Sequence, residues 1–162
     1  MVGLTIGSSD FDGLRAILAG LIGLPLLVAR SSYGDELHLH FGERMPSSGT
    51  RHNSFRGQWV LGTRASPWYL MRGGGSQVSE AELCTQDLAV LHSLEGTEVI
   101  RASLSPDDLD LEIEFKNGAL FKVPASSNSD DFASWEITTP YKSLVSMGPG
   151  RKWSESHSED SD

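Results

Sequence analysis

The sequence predicts an α+β fold made of two similar halves, each an α-helix packed on an antiparallel β-sheet. Three observations predict it. A capped amphipathic helix that stops at a glycine occurs twice, at Gly23 and at Gly96. Alternating strands follow each, Leu37-His38-Leu39-His40-Phe41 and Leu111-Glu112-Ile113-Glu114-Phe115. A later strand in each half opens on tryptophan, at Trp68 and at Trp135. The offsets are 73 at the glycines, 74 at the alternating strands and 67 at the tryptophans, a drift that loop lengths account for. A helix on a small sheet leaves apolar surface that a second such unit can cover. The expected organisation is one domain over 1–150, with pseudo-repeats 1–75 and 76–150 and an acidic disordered tail over 151–162.

The first helix starts at Ser9-Asp10-Phe11-Asp12, with Ser9 as N-cap and Asp12 in the first turn. Phe11, Leu14, Ile17, Leu18, Leu21 and Ile22 recur at helical spacing, Gly23 stops the helix and Pro25 cannot continue it. Leu26 to Arg30 reads as a strand and Ser32 to Asp35 as a turn. From Glu36 the chain alternates: Leu37, Leu39 and Phe41 share one face, and Glu36, His38 and His40 share the other. Met45 to Asn53 reads as a polar loop. Strands follow at Phe55–Leu61 and Pro67–Arg72, and then the break Gly73-Gly74-Gly75-Ser76.

Ser79-Glu80-Ala81-Glu82 is a capping-box pattern that opens the second helix, whose apolar stripe is Cys84, Leu88, Leu91 and Leu94. Further strands are expected over 97–103, 109–115, 119–123, 134–138 and 143–147. The Asn117-Gly118 turn permits a register argument. A two-residue loop would put Phe121 and Val123 on the acidic face with Glu112 and Glu114. A three-residue loop pairs Ile113 with Phe121 and Leu111 with Val123, so one face is wholly apolar. Burial selects the second, with Gly118 left-handed in a G1 bulge.

Composition narrows function. The chain has 162 residues, 38% of them hydrophobic, and a net charge of −9. Residues 1–75 carry seven basic and five acidic groups, +2, whereas residues 76–162 carry six and seventeen, −11. This balance argues against a phosphate-binding surface, so no nucleic-acid partner is expected. The apolar run from Ala16 to Leu24 is far too short to span a bilayer, so no membrane partner is expected either. One cysteine, Cys84, excludes an internal disulfide and fits a cytoplasmic setting; its place on the helix stripe reads as core packing.

Two constellations remain. His38 and His40 lie two apart on a strand, and with Glu36, Glu43 or His52 as third ligand they could hold a metal. A solvated strand face is the simpler explanation, because two histidines without a second motif are weak evidence for a metal site. Asp107, Asp108, Asp110, Glu112 and Glu114 form a dense acidic run without the glycine or ligand rhythm of a calcium loop. It is either the wet face of an antiparallel sheet or a docking surface for a basic protein, with Asp108, Asp110, Glu112 and Glu114 as partner-binding residues. No G-x-S-x-G, P-loop or dinucleotide fingerprint occurs.

The run Tyr33-Gly34, Leu37-His38-Leu39-His40-Phe41-Gly42-Glu43, Arg56-Gly57-Gln58-Trp59, Trp68, Phe115-Lys116-Asn117-Gly118, Trp135-Glu136-Ile137 and Gly148-Pro149-Gly150 resembles a group of small uncharacterised bacterial α+β proteins. In size, acidity and build the chain is also similar to immunity proteins that neutralise toxins of bacterial competition. The resemblance implies a fold and no catalytic residue. The expected function is therefore a non-enzymatic protein-binding module, an immunity-type inhibitor of a basic partner, with no cofactor. The alternatives are a metal-dependent enzyme using His38 and His40, and a structural homodimeric subunit. The oligomeric state is left open.

Overall fold

Apolar side chains at every second position determine the strands. The computed structural model describes residues 5–8, 11–31, 36–46, 55–63, 68–72, 84–85, 88–105, 110–124, 134–148 and 152–157. In chain order these form β1 (Thr5–Ser8), α1 (Asp12–Leu18), a 3-10 turn (Ala19–Leu21), β2 (Leu26–Ser31), β3 (Leu37–Pro46), β4 (Phe55–Thr63), β5 (Tyr69–Arg72) and β6 (Cys84–Thr85). They continue with α2 (Leu88–His92), β7 (Val99–Leu104), β8 (Leu111–Phe115), β9 (Ala119–Val123), β10 (Trp135–Thr138), β11 (Ser143–Met147) and β12 (Trp153–His157). Along β8, β9 and β10 every second residue is buried, the pattern of a sheet with one face in the core.

The strands make two antiparallel sheets. One has the order β1-β12-β11-β10-β4-β3-β2 and the other β6-β5-β9-β8-β7. The meanders β2–β3–β4 and β7–β8–β9 have matching registers. Ala29 faces Leu39 as Ala102 faces Ile113, and both pairings carry an irregularity one step earlier, at Leu26/Val28 and Val99/Arg101. The next strand then crosses over. β5 leaves its own meander and pairs with β9, Leu70 opposite Phe121; β10 leaves the other and pairs with β4, Ile137 opposite Leu61.

This overturns the expected α+β class with two helix-on-sheet halves. Strands dominate, and the described residues hold two α-helices, of seven and five residues. Neither half owns a complete sheet, because the seven-stranded sheet takes β10, β11 and β12 from the second half and the five-stranded sheet takes β5 from the first. The second helix is shorter than its apolar spacing suggests. Cys84 and Thr85 are strand, paired with Met71 and Leu70, so the backbone bonds offered by β5 override local helix preference there. Cys84 therefore does not belong to a helix stripe. The first helix takes Phe11 and not Ser9 as its N-cap, and the capping box at Ser79–Glu82 lies outside the described residues. The expected tail begins as structure: Trp153–His157 is a strand between β11 and β1.

The meanders meet where β2 and β7 begin. Pro25 and Glu98 form an antiparallel bridge. Leu26 N–H donates to Thr97 C=O at 3.0 Å, and Val99 N–H to Leu24 C=O at 2.9 Å. Gly42 N–H donates to Pro25 C=O and Lys116 N–H to Glu98 C=O, at 3.0 and 2.9 Å. Across this seam Phe41 and Phe115 stack with ring centroids 6.5 Å apart. Trp68 of one segment stacks on Phe121 of the other at 5.9 Å. One apolar cluster runs through both sheets and includes Leu14, Leu18 and Leu21 beside Leu91 and Leu94. Burying each large aromatic contributes roughly 3 kcal/mol before entropy.

Candidate functional site

The register puts His38 and His40 of β3 where β8 carries Glu112 and Glu114. His38 faces Arg30 as Glu112 faces Ser103, and His40 faces Val28 as Glu114 faces Arg101. The outer faces of the two meanders thus differ in charge at equivalent positions.

Along β8 and at Asp110 just before it, the carboxylates already have cations. Arg101 of β7 reaches Glu112 at 3.3 Å and Glu114 at 3.1 Å. Lys122 of β9 reaches Asp110 at 3.4 Å and Glu112 at 3.9 Å. Asp110 is buried, and its N–H donates to Ser105 Oγ at 3.0 Å. Antiparallel pairing aligns Glu112 between Ser103 and Lys122, so the row is built by register. Among the described residues these three carboxylates stand beside two cations, Arg101 and Lys122, along a line set by the sheet. Asp107 and Asp108 lie outside the described residues.

On β3 the two imidazoles have separate surroundings. His38 is half-buried over Gly62, whose Cβ position would be 3.5 Å from His38 Nδ1. Glu136 of β10 is the other neighbour of Gly62, so a polar row runs Arg30, His38, Gly62, Glu136 across four strands. His40 is only 8% exposed, and its Nδ1 accepts the Gly57 N–H at 3.0 Å. Burial, helped by Arg30, His38 and Arg56, pushes its pKa down to about 4. An imidazole that accepts at Nδ1 carries its proton on Nε2, so neither ring nitrogen of His40 offers a lone pair to a metal ion and Nε2 can only donate. The described residues contain no group of three or more His, Cys, Asp or Glu able to hold a metal ion. His52 lies outside them.

What His40 does in the structure is lock the root of a hairpin. β2 stops pairing with β3 at Phe41, and β10 stops pairing with β4 at Val60. Beyond a register shift, Arg44, Met45 and Pro46 pair with Gly57, Arg56 and Phe55. This ribbon therefore continues past the sheet, although the sequence reads as a polar loop from Met45. At its root Gly42 has φ +88°, Glu43 N–H donates to Gln58 Oε1 at 3.1 Å, and Gly57 lies against Phe41. A Cβ on Gly57 would sit 2.7 Å from Phe41 O and 2.8 Å from Phe41 N. Glu43 through Pro46 and Arg56 are exposed.

A second feature escaped sequence reading. Tyr141, 76% exposed, stands on the β10–β11 turn with its ring edge-on to Trp59 at 6.5 Å. Thr139 Oγ1 accepts from Tyr141 N–H at 3.2 Å and lies 2.7 Å from Ser143 Oγ, and Lys142 has φ +62°. Thr139-Pro140 was the available signal, a turn with a hydroxyl cap.

Comparison with known proteins gave no matching family, no curated relative and no similar solved structure. Among the described residues no helix is long and apolar enough to cross a membrane.

Proposed function

We propose that this chain is a non-enzymatic protein-binding module, an inhibitor-type protein that covers a basic partner. The observation that carries the reading is the row Asp110, Glu112 and Glu114, held in line just before and along β8, with Arg101 and Lys122 beside it. A row held in place by the sheet loses little entropy when a cationic surface arrives. The chain's net charge of −9 steers such a partner from a distance. His38 and His40 do not favour the metal-enzyme alternative, because His40 Nδ1 is spent on Gly57. A cytoplasmic setting belongs to the same proposal.

The test is affinity recovery from the native host at low salt, with the wild type and with Glu112→Lys/Glu114→Lys. The reading expects one basic protein, released by salt and lost with the double variant. Recovery of no partner, or binding indifferent to salt and to the charge reversal, contradicts it.

A further inference from the structure

We propose that Asn117 is a site of spontaneous covalent modification, converted through a cyclic imide to aspartate and isoaspartate, and that the β8–β9 turn sets its rate. The inference stands apart from the binding-module reading.

Three observations carry it. First, the chain has three asparagines, and Asn117 is the one followed by glycine; Asn53 and Asn128 precede serines. A glycine nitrogen has no side chain beside it to hinder its attack on the asparagine amide. Second, Asn117 is exposed on the turn, so water and base reach it. Third, the turn holds both reacting groups. Gly118 N–H donates to Phe115 C=O at 2.8 Å, and Asn117 Oδ1 accepts from Ala119 N–H at 3.0 Å. Gly118 has φ +92°, the left-handed bulge position, so the attacking nitrogen is fixed by the backbone as well as by its bond. The Ala119 contact polarises the carbonyl that is attacked, whereas the Phe115 contact withholds the proton that must leave. The nitrogen stays unreactive until the Phe115 bond breaks, so the reaction passes through an opened turn.

In the opened turn, solvent base removes the Gly118 amide proton. The Gly118 nitrogen bonds to Cγ of Asn117, the Cγ–Nδ2 bond breaks, and the side-chain nitrogen leaves as ammonia with a proton taken from water. Water then opens the ring at either carbonyl. Attack at Cγ gives aspartate; attack at the main-chain carbonyl gives isoaspartate, in which the backbone runs through Cβ and Cγ. Nothing is oxidised or reduced. Both products place a new carboxylate on the turn that follows Glu112 and Glu114. Isoaspartate also adds one carbon to a loop whose length sets the pairing of Ile113 with Phe121 and of Glu112 with Lys122.

The experiment ages the intact chain at neutral pH and one temperature, in native buffer and in guanidinium chloride. Peptide mass spectrometry, with fragmentation that separates isoaspartate from aspartate, follows each asparagine. In guanidinium chloride Asn117 should convert faster than Asn53 and Asn128. In native buffer its conversion should be slower by about tenfold or more, because only the opened fraction of turns reacts. Gly118→Ala, aged in guanidinium chloride where its effect on folding is immaterial, should slow the conversion severalfold, since a methyl group crowds the nitrogen. The isoaspartate form, separated by ion exchange, should unfold at a lower urea concentration than the unmodified chain. No preference for Asn117 in denaturant, or equal rates in denaturant and native buffer, would overturn the proposal. An unfolding midpoint unchanged by isoaspartate would overturn its link to the β8–β9 register.

Discussion

The N–H of Gly23 donates to the carbonyl of Val99 at 2.7 Å. Gly96, 73 positions later, donates to Leu26 at the same distance, and 26 and 99 are also 73 apart. Both glycines have left-handed backbones, φ +91° and +93°, with open space where a Cβ would stand. Gly23→Ala and Gly96→Ala should therefore cost the same, about 1–2 kcal/mol of backbone strain each, in chemical denaturation. A clear inequality would show that the two ends of the seam are not energetically equivalent.

Gly57→Ala should be far worse than either. Its Cβ would meet backbone atoms of Phe41, which cannot rotate away as a flexible side chain would. The loss should exceed about 3 kcal/mol, since relief requires β3 and β4 to part at the root of the ribbon. Thermal or urea unfolding reads this directly.

His40 makes the fold sensitive to acid. Its folded pKa, about 4, is below the ordinary histidine value of 6.5. The unfolded chain therefore takes up the proton first, and stability falls as pH drops from about 6.5 to about 4, by on the order of 3 kcal/mol. His40→Asn keeps an acceptor for Gly57 and removes the titration, so its stability should vary less over that window. His40→Ala should cost about 2–4 kcal/mol at neutral pH, because Gly57 N–H is left without its partner and a cavity opens. Urea unfolding at pH 4.5 and 7.5 separates the three proteins.

The sequence was most legible where burial leaves one choice. The Leu111/Val123 and Ile113/Phe121 pairings and the left-handed Gly118 follow from keeping one face apolar, and the structure has them. Gly23 and Gly96 were readable as left-handed breaks, but the α-helices end earlier, at Leu18 and His92. The crossing of β5 and β10 was not, since Trp68 and Trp135 give a face but do not say which sheet provides the neighbour. Cys84 looked helical by spacing and became strand through Met71, a long-range partner. Trp153–His157 looked too polar to order, yet β11 supplies its hydrogen bonds and the core takes Trp153. The role of His40 depended on Gly57, seventeen residues away, and on a register shift at Gly42 that no alternation pattern announces. The charge row was visible as carboxylates; its cations Arg101 and Lys122 were visible only as isolated basic residues on other strands.

Both sheets are completed by exchanged strands, and separation of the chain tests that most directly. Residues 1–74 and 75–162, made as two polypeptides, should each lack cooperative unfolding alone. Mixed at equal concentration, they should regain a single cooperative transition and the near-ultraviolet signal of packed tryptophans. Independent cooperative folding of either piece would contradict the exchange of β5 and β10 on which the account stands.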